Sequence, residues 1–208
     1  MAKIESVQAL REVLGPSKPT TFAKILPRVE PQGAEFLRVS PFAVISTVDA
    51  QGVVESSPKG DLPGFIRLEN ERTLLMPERA GNNLAFGLQN IVANGRIGII
   101  AFRPGTGETL RMTGRAEIRD DPDLLAMLGG ADKPALLAIR VHVERCYFHC
   151  ARSVLRAGLW NPQAWAPPQQ VSFGKIIAEG LAQGPEAVAA IDESVQGAYT
   201  TRLWSNKA

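Results

Sequence analysis

Cysteine and histidine are scarce in this chain of 208 residues, which holds two of each. Two thiols, Cys146 and Cys150, exclude a disulfide-stapled scaffold and make a reducing cytoplasm the default compartment. No apolar run approaches the roughly 18 residues a membrane span needs, so no transmembrane helix is expected. The opening stretch, MAKIESVQALREVLG, carries acids and a helical pattern but no apolar h-region, so no secretory signal is expected. Aromatic residues make up only 6% and the net charge is +2, which supplies neither the stacking platforms nor the basic groove of a nucleic-acid binder. There is no GxGxxG, P-loop, carboxylate pair or catalytic triad, and no strand–helix–strand alternation, which argues against a Rossmann fold.

What is present fits an ordinary globular protein, with 45% hydrophobic and 21% charged residues. The length suits one full domain, or one domain with appended helices. Of the 23 basic residues 16 are arginine, whose planar fork suits phosphate and carboxylate.

Periodicity divides the chain. Residues 3–14 place Ile4, Val7, Leu10, Val13 and Leu14 on one stripe, and Gly15-Pro16 stops that helix. Short helical segments at 20–25 and around Phe36 and Leu37 complete an expected arm over 1–40, outside the main domain. A β-rich domain is expected over 41–160. Within it 42–57 reads as a hairpin across Asp49-Ala-Gln-Gly52, and 65–76 reads as a second pair. The polar loop 77–83 opens an expected helix at about 83–93, ended by Asn94-Gly95. Strands follow at 96–102 and 108–119, then a helix begun by Asp121-Pro122, with Asp121 as its cap. The last long strand, 135–148, carries Leu137, Ile139, Val141 and Val143 on one face and Arg140, His142 and Glu144 on the other. A helical turn over 149–158, an extended connector at 161–170 and helices near 172–181 and 185–199 finish the chain. Residues 161–208 are expected to form an extension packed on the barrel. Six or seven antiparallel strands joined by short turns point to a mainly β fold with flanking helices, a small closed or half-open barrel.

Four stretches could carry chemistry. Arg79-Ala-Gly-Asn82-Asn83 joins a strand to a helix start, where unpaired N–H groups and the helix dipole attract anions and Gly81 permits close approach. A plain capped helix with a solvated arginine would show the same residues. Ser56-Ser57-Pro58-Lys59 lies at a strand end. Its proline implies an edge strand with free backbone groups, and its lysine offers a point charge to a phosphate or an electron-rich ring. Thr109, Arg111 and Thr113 project from one side of a strand, toward either solvent or a ligand. Cys146-Tyr-Phe-His149-Cys150 resembles half a zinc site, but a structural zinc wants four ligands and no second cluster exists, so no metal is expected.

Four segments together resemble the pyridoxamine 5'-phosphate oxidase-like FMN-binding family, the split-barrel flavoproteins. They are PFAVISTVDAQGVVESSPKGD (41–61), GFIRLENERTLLMPERAGNN (64–83), NGRIGIIAFRPGTGETLRMTGRAEI (94–118) and YFHCARSVLRAGLW (147–160). The closest likeness is to a bacterial subgroup with the SPKGD motif and an HC…R…LW tail. The resemblance implies a split β-barrel and a homodimer with two FMN sites at the subunit interface. It places Ser56, Ser57 and Lys59 along the isoalloxazine and ribityl side, and Leu75 and Met76 against the ring. Arg79, Asn82 and Asn83 would take the phosphate, with Thr109 and Arg111 approaching from the partner strand. Arg152 and Trp160 would sit close to the flavin. The vitamin B6 oxidase pattern has Arg-Lys where this chain has Asn82-Asn83, and its C-terminal arginine signature is only faintly echoed by Thr201-Arg-Leu-Trp204. Pyridoxamine phosphate is therefore not the expected substrate. The expected function is an FMN-dependent oxidoreductase of the cytoplasm acting on a small molecule, without nucleic-acid or membrane partners. A flavin-binding redox sensor or carrier without turnover, and a haem- or deazaflavin-binding split barrel, are the alternatives.

Overall fold

The computed structural model describes residues 3–130 and 133–204. Its strands follow from residues that alternate between apolar and polar. In β1 (Phe42–Val48) Ala43, Ile45 and Thr47 are buried, and in β5 (Arg96–Phe102) Ile97, Ile99 and Ala101 are. In β6 (Thr109–Arg119) Leu110, Met112 and Ala116 point inward, which leaves Thr109, Arg111 and Thr113 on the outer side. β2 (Val54–Gly60), β3 (Arg67–Asn70), β4 (Thr73–Glu78) and β7 (Leu137–His149) complete one antiparallel sheet of seven strands. The order across it is β2-β1-β5-β6-β7-β4-β3.

The inner faces of five of these strands share one apolar core, so the sheet is rolled. The seam of the roll is held by side chains. Lys59 at the end of β2 lies 2.5 Å from Glu78 at the end of β4, although five strand positions separate the two in the sheet. Just beyond the same two strand ends, Arg79 lies 2.6 Å from Asp61. This is the mainly β barrel that the strand pattern suggests and the split barrel that the family resemblance implies.

One irregularity re-aims the longest strand pair. Between Thr113↔Arg145 and Gly114↔Val143 the register slips by one residue. The inward set of β7 changes phase there, from Ile139, Val141 and Val143 to Cys146. A Cβ on Gly114 would collide with the carbonyl oxygen of His142, so the bulge demands glycine.

The N-terminal 40 residues divide in two. α1 (Val7–Leu14) buries nothing, and neither does α2 (Pro19–Ala23). The chain is then pinned to β7 by reciprocal Leu26–Cys146 backbone bonds of 3.1 and 2.7 Å. α3 (Pro31–Val39) buries Phe36 and Leu37 in the main core, with the Phe36 ring edge-on to Phe148 at 5.4 Å. The third segment is therefore part of the barrel's packing and not a free arm.

α4 (Phe86–Asn94) lies against β1, where Asn90 donates to Thr47 Oγ1 at 3.2 Å and Asn94 donates to the Val48 carbonyl. It starts three residues later than its apolar stripe suggests. Asn82 bonds locally, its Oδ1 accepting from Leu84 N–H at 3.1 Å, and the cap position falls to Ala85 in the left-handed region. α5 (Pro122–Leu128) packs Leu128 on Leu75 and Ala138 from outside. Proline occupies its first turn as expected, but Asp121 does not cap it. The carboxylate is drawn instead to Arg119, at 2.7 and 2.8 Å. After α6 (Arg152–Arg156) and a 3₁₀ turn (Pro162–Ala164), α7 (Phe173–Gly180) and α8 (Pro185–Thr200) form a hairpin. It is joined where Asp192 accepts from the Ser172 hydroxyl at 2.5 Å and from Gly174 N–H at 2.7 Å. Among the described residues no helix is long and apolar enough to cross a membrane.

Candidate functional site

The seam of the barrel is also its principal cleft. β2 supplies Ser56, Ser57 and Lys59 from an edge strand, paired with β1 alone, in which Pro58 removes one donor. β4 ends in Glu78 and delivers Arg79 into the loop that leads to α4. Asn82, Asn83 and the start of α4 form the far wall, and Leu136 and Leu137 close the side. The cavity they line is about 510 Å³. A second cavity of about 610 Å³ adjoins it and shares Ser57, Lys59, Glu78 and Arg79. Its other wall comes from Leu62, Phe65, Leu203 and Trp204.

Two ion pairs set the electrostatics. The Lys59 and Glu78 side chains are 17% and 18% exposed, and those of Arg79 and Asp61 are 15% and 4%. All three nitrogens of the Arg79 guanidinium are engaged. Its Nε donates to Asp61 Oδ2 at 2.7 Å, Nη1 to the Lys133 carbonyl at 2.5 Å and Nη2 to the Leu128 carbonyl at 3.1 Å. Arg79 thus brackets three loops together and is not held out as an isolated charge. Within one chain, with Glu55 also on the wall, the cleft carries two positive and three negative groups and has no positive excess.

The loop before α4 is the strained part of the wall. Asn83 and Ala85 both take positive φ, 59° and 54°, a conformation that costs non-glycine residues of order 1–3 kcal/mol and clusters at ligand clamps and active sites. The residues it leads into, 85–88 at the start of α4, line the cleft, and the first amides of a helix have no partner within it.

Of the sequence candidates, the structure gathers Ser56, Ser57, Lys59, Arg79, Asn82 and Asn83 around the cleft. Leu75 and Met76 lie inside, 3% and 0% exposed, Leu75 beneath α5 and Met76 in the main core. Thr109, Arg111, Arg152 and Trp160 belong to a second locality, where β6 begins and β7 ends. There Thr109 pairs with His149, and Arg111 Nη1 lies 3.5 Å from His149 Nδ1. Trp160 Nε1 donates to the Thr106 carbonyl at 2.8 Å. Lys24 reaches in to the Phe148 carbonyl at 2.7 Å and lies over the Tyr147 ring. Burial holds the His149 imidazole below its ordinary pKa, and the charges of Arg111 and Lys24 act in the same direction. Among the described residues Arg111 has no carboxylate partner. Cys146 and Cys150 do not converge, since one is buried and the other exposed, and no metal-holding cluster of three such residues occurs among the described residues.

Sequence reasoning missed Glu78, Asp61 and Trp204. The signal for the first two lay in plain view, an acid beside each key base: Glu78 before Arg79, and Asp61 two residues after Lys59. Nothing local marks Trp204, which reaches the cleft only through the fold.

The model of the pyridoxamine 5'-phosphate oxidase family matches residues 29–150, more than half of the chain. No curated protein matches. Similar solved structures include HupZ of Group A Streptococcus, at 22% identity over 58% of this chain and 93% of that one, with a TM-score of 0.47. A Clostridium acetobutylicum protein related to general stress protein 26 is 13% identical over 57% and 85% of the two chains, with a TM-score of 0.44. HutZ, the haem storage protein of Vibrio cholerae, is 17% identical over 56% and 91%, with a TM-score of 0.40.

Proposed function

This chain belongs to the pyridoxamine 5'-phosphate oxidase family, and from that premise we propose that it binds FMN in the seam cleft and serves as an FMN-dependent oxidoreductase on a small molecule. The observation that carries the reading is the cleft itself. It lies wholly inside the family-matched segment and sets a half-buried lysine, Lys59, opposite a strained loop that opens a helix. Its volume falls in the range of small-molecule and cofactor pockets.

The chain's residues fit such a group in a definite way. Ser56, Ser57 and Lys59 would line the ring and ribityl chain, and the first amides of α4 with Asn82 and Asn83 would meet the phosphate. Arg79 would hold the loops that shape this end, because each of its nitrogens already donates to one of them. The bound flavin would supply the redox chemistry, and the chain supplies binding, orientation and electrostatics.

A phosphate dianion in a cleft without positive excess needs another base, and this supports a homodimer. The outer face of the sheet beside Arg111 carries Phe42, Val44, Ile100 and Phe102 in adjacent register, and the Phe42 and Phe102 rings stand 5.9 Å apart. No helix of the chain contributes to that face among the core clusters. Burying it against a second copy would bring the partner's Thr109 and Arg111, with Arg152 and Trp160 nearby, toward the flavin. A cytoplasmic location follows from the same reading.

The test is spectroscopic. Purified protein is expected to be yellow with flavin bands, and apoprotein is expected to bind FMN with a rise in thermal midpoint. Colourless protein with no midpoint shift in excess FMN overturns the proposal, and a haem or deazaflavin spectrum replaces it. Anaerobic reduction by NADH or NADPH, followed by reoxidation with candidate acceptors, separates an enzyme from a flavin carrier. Sedimentation at the monomer mass of 22.4 kDa would contradict the shared site.

A further inference from the structure

We infer that the second cavity, walled on one side by the C-terminal segment, is a chamber for an uncharged, planar, conjugated carbonyl compound. The inference rests on the cofactor reading only for what the chamber would do, namely hold a substrate beside the flavin. Its own basis is the wall.

At about 610 Å³ the cavity is large enough for a two-ring molecule. Leu62, Phe65, Leu203 and Trp204 make one side apolar and partly aromatic. The Trp204 ring is fixed by the Lys133 ammonium, 4.9 Å from its centroid, so it presents a set plane for stacking. Leu62 and Phe65 lie inside the family-matched residues 29–150 and Leu203 and Trp204 beyond them, so the C-terminal part of this wall is a property of the chain's own extension.

The polar side selects against charge. Both ion pairs that line the cavity, Lys59–Glu78 and Arg79–Asp61, are internally neutral. An anionic or cationic ligand would have to break one of them or stay unpaired in a partly dry site. A neutral carbonyl oxygen breaks nothing. The Lys59 ammonium has three donors and directs one to Glu78 Oε2, so it can donate to such an oxygen while the pair remains intact. A flat apolar body toward Trp204 and a carbonyl toward Lys59 satisfy both ends of the cavity. Because Ser57, Lys59 and Glu78 border both cavities, that carbonyl would lie next to whatever fills the first.

The experiment uses 2-acetylnaphthalene, naphthalene and 2-naphthoate in equilibrium dialysis against the full-length protein, with FMN binding measured separately by fluorescence titration. The ketone is expected to bind about tenfold tighter than the carboxylate, because the two bases that line the cavity, Lys59 and Arg79, are already paired and Lys133 lies on the Trp204 ring outside the lining, and more tightly than naphthalene. Trp204→Ala should weaken the ketone about tenfold, and Trp204→Phe should hold it within about threefold, with thermal midpoints unchanged in both. Failure of the ketone to bind, or binding of 2-naphthoate as tight as that of the ketone, overturns the inference whatever the variants do. Unchanged affinity in a folded Trp204→Ala overturns it too. Ketone binding without FMN binding would keep the chamber and remove the flavin reading, and the reverse result would do the opposite.

Discussion

Removing the guanidinium of Arg79 is expected to cost far more than a surface charge change. Asp61 is 4% exposed in its side chain, and its Oδ2 accepts from Arg79 at 2.7 Å while its Oδ1 accepts from Leu62 N–H at 2.7 Å. In Arg79→Met the carboxylate keeps only the amide, and the Lys133 and Leu128 carbonyls lose a donor each. Stranding one member of a buried pair costs about 3–5 kcal/mol. At about 2–4 °C per kcal/mol for a chain of this size, the thermal midpoint should fall by about 6–20 °C. Asp61→Leu should do nearly the same from the other side. The double variant should recover part of the loss, because neither charge is then stranded, and the coupling should exceed about 1 kcal/mol. Urea denaturation followed by circular dichroism measures all four corners of the cycle. Single variants within about 0.5 kcal/mol of wild type, or a double variant equal to the sum of the singles, would refute the bracket role.

Three further outcomes can be checked directly. Burial, with a smaller contribution from Glu30, pushes the Cys146 thiol up to about 12, and Cys150 is exposed. Native protein should therefore release one equivalent of chromophore from a disulfide reagent at pH 8, and unfolded protein two. The His149 pKa is held below its unfolded value, so the unfolded chain binds the proton first. Stability should be full above the unfolded pKa of about 6.5 and fall as the pH drops below it, and His149→Asn should flatten that slope in midpoints measured between pH 7.5 and 5. Gly174→Ala would set its Cβ against the Val188 carbonyl and Asp192, and should pry α7 from α8. Limited proteolysis of the C-terminal hairpin should accelerate while the barrel resists.

The barrel was legible because strands advertise themselves. The alternation in 42–48, 96–102 and 109–119 fixes both strand and face, and Pro58 marks β2 as an edge. The bulge at Gly114 was not legible, since it depends on which residue of β7 faces β6. The start of α4 is not legible either, because two asparagines look like caps, whereas Asn82 closes a local turn and Asn83 takes a left-handed conformation. In the site, the bases stood out by type, and Lys59 and Arg79 do border one cleft. Their partners did not stand out. A carboxylate that neutralises a base is chosen by tertiary distance, so Lys59 pairs with Glu78 nineteen positions away and Arg79 with Asp61 eighteen away. This is why an arginine that reads as a free anion hook proves to be a tie between loops.

The two strands at the margins of the sheet have a consequence for solubility. β2 offers its outer rim with a proline and a lysine in sequence, and β3 is only four residues long and irregular between Leu68 and Asn70. Neither rim gives an incoming strand a flat, continuous row of donors and acceptors to zip onto. Concentrated solutions of the folded protein should accordingly resist growth into fibrils by strand addition, and replacing Pro58-Lys59 with two valines is the change that would invite it.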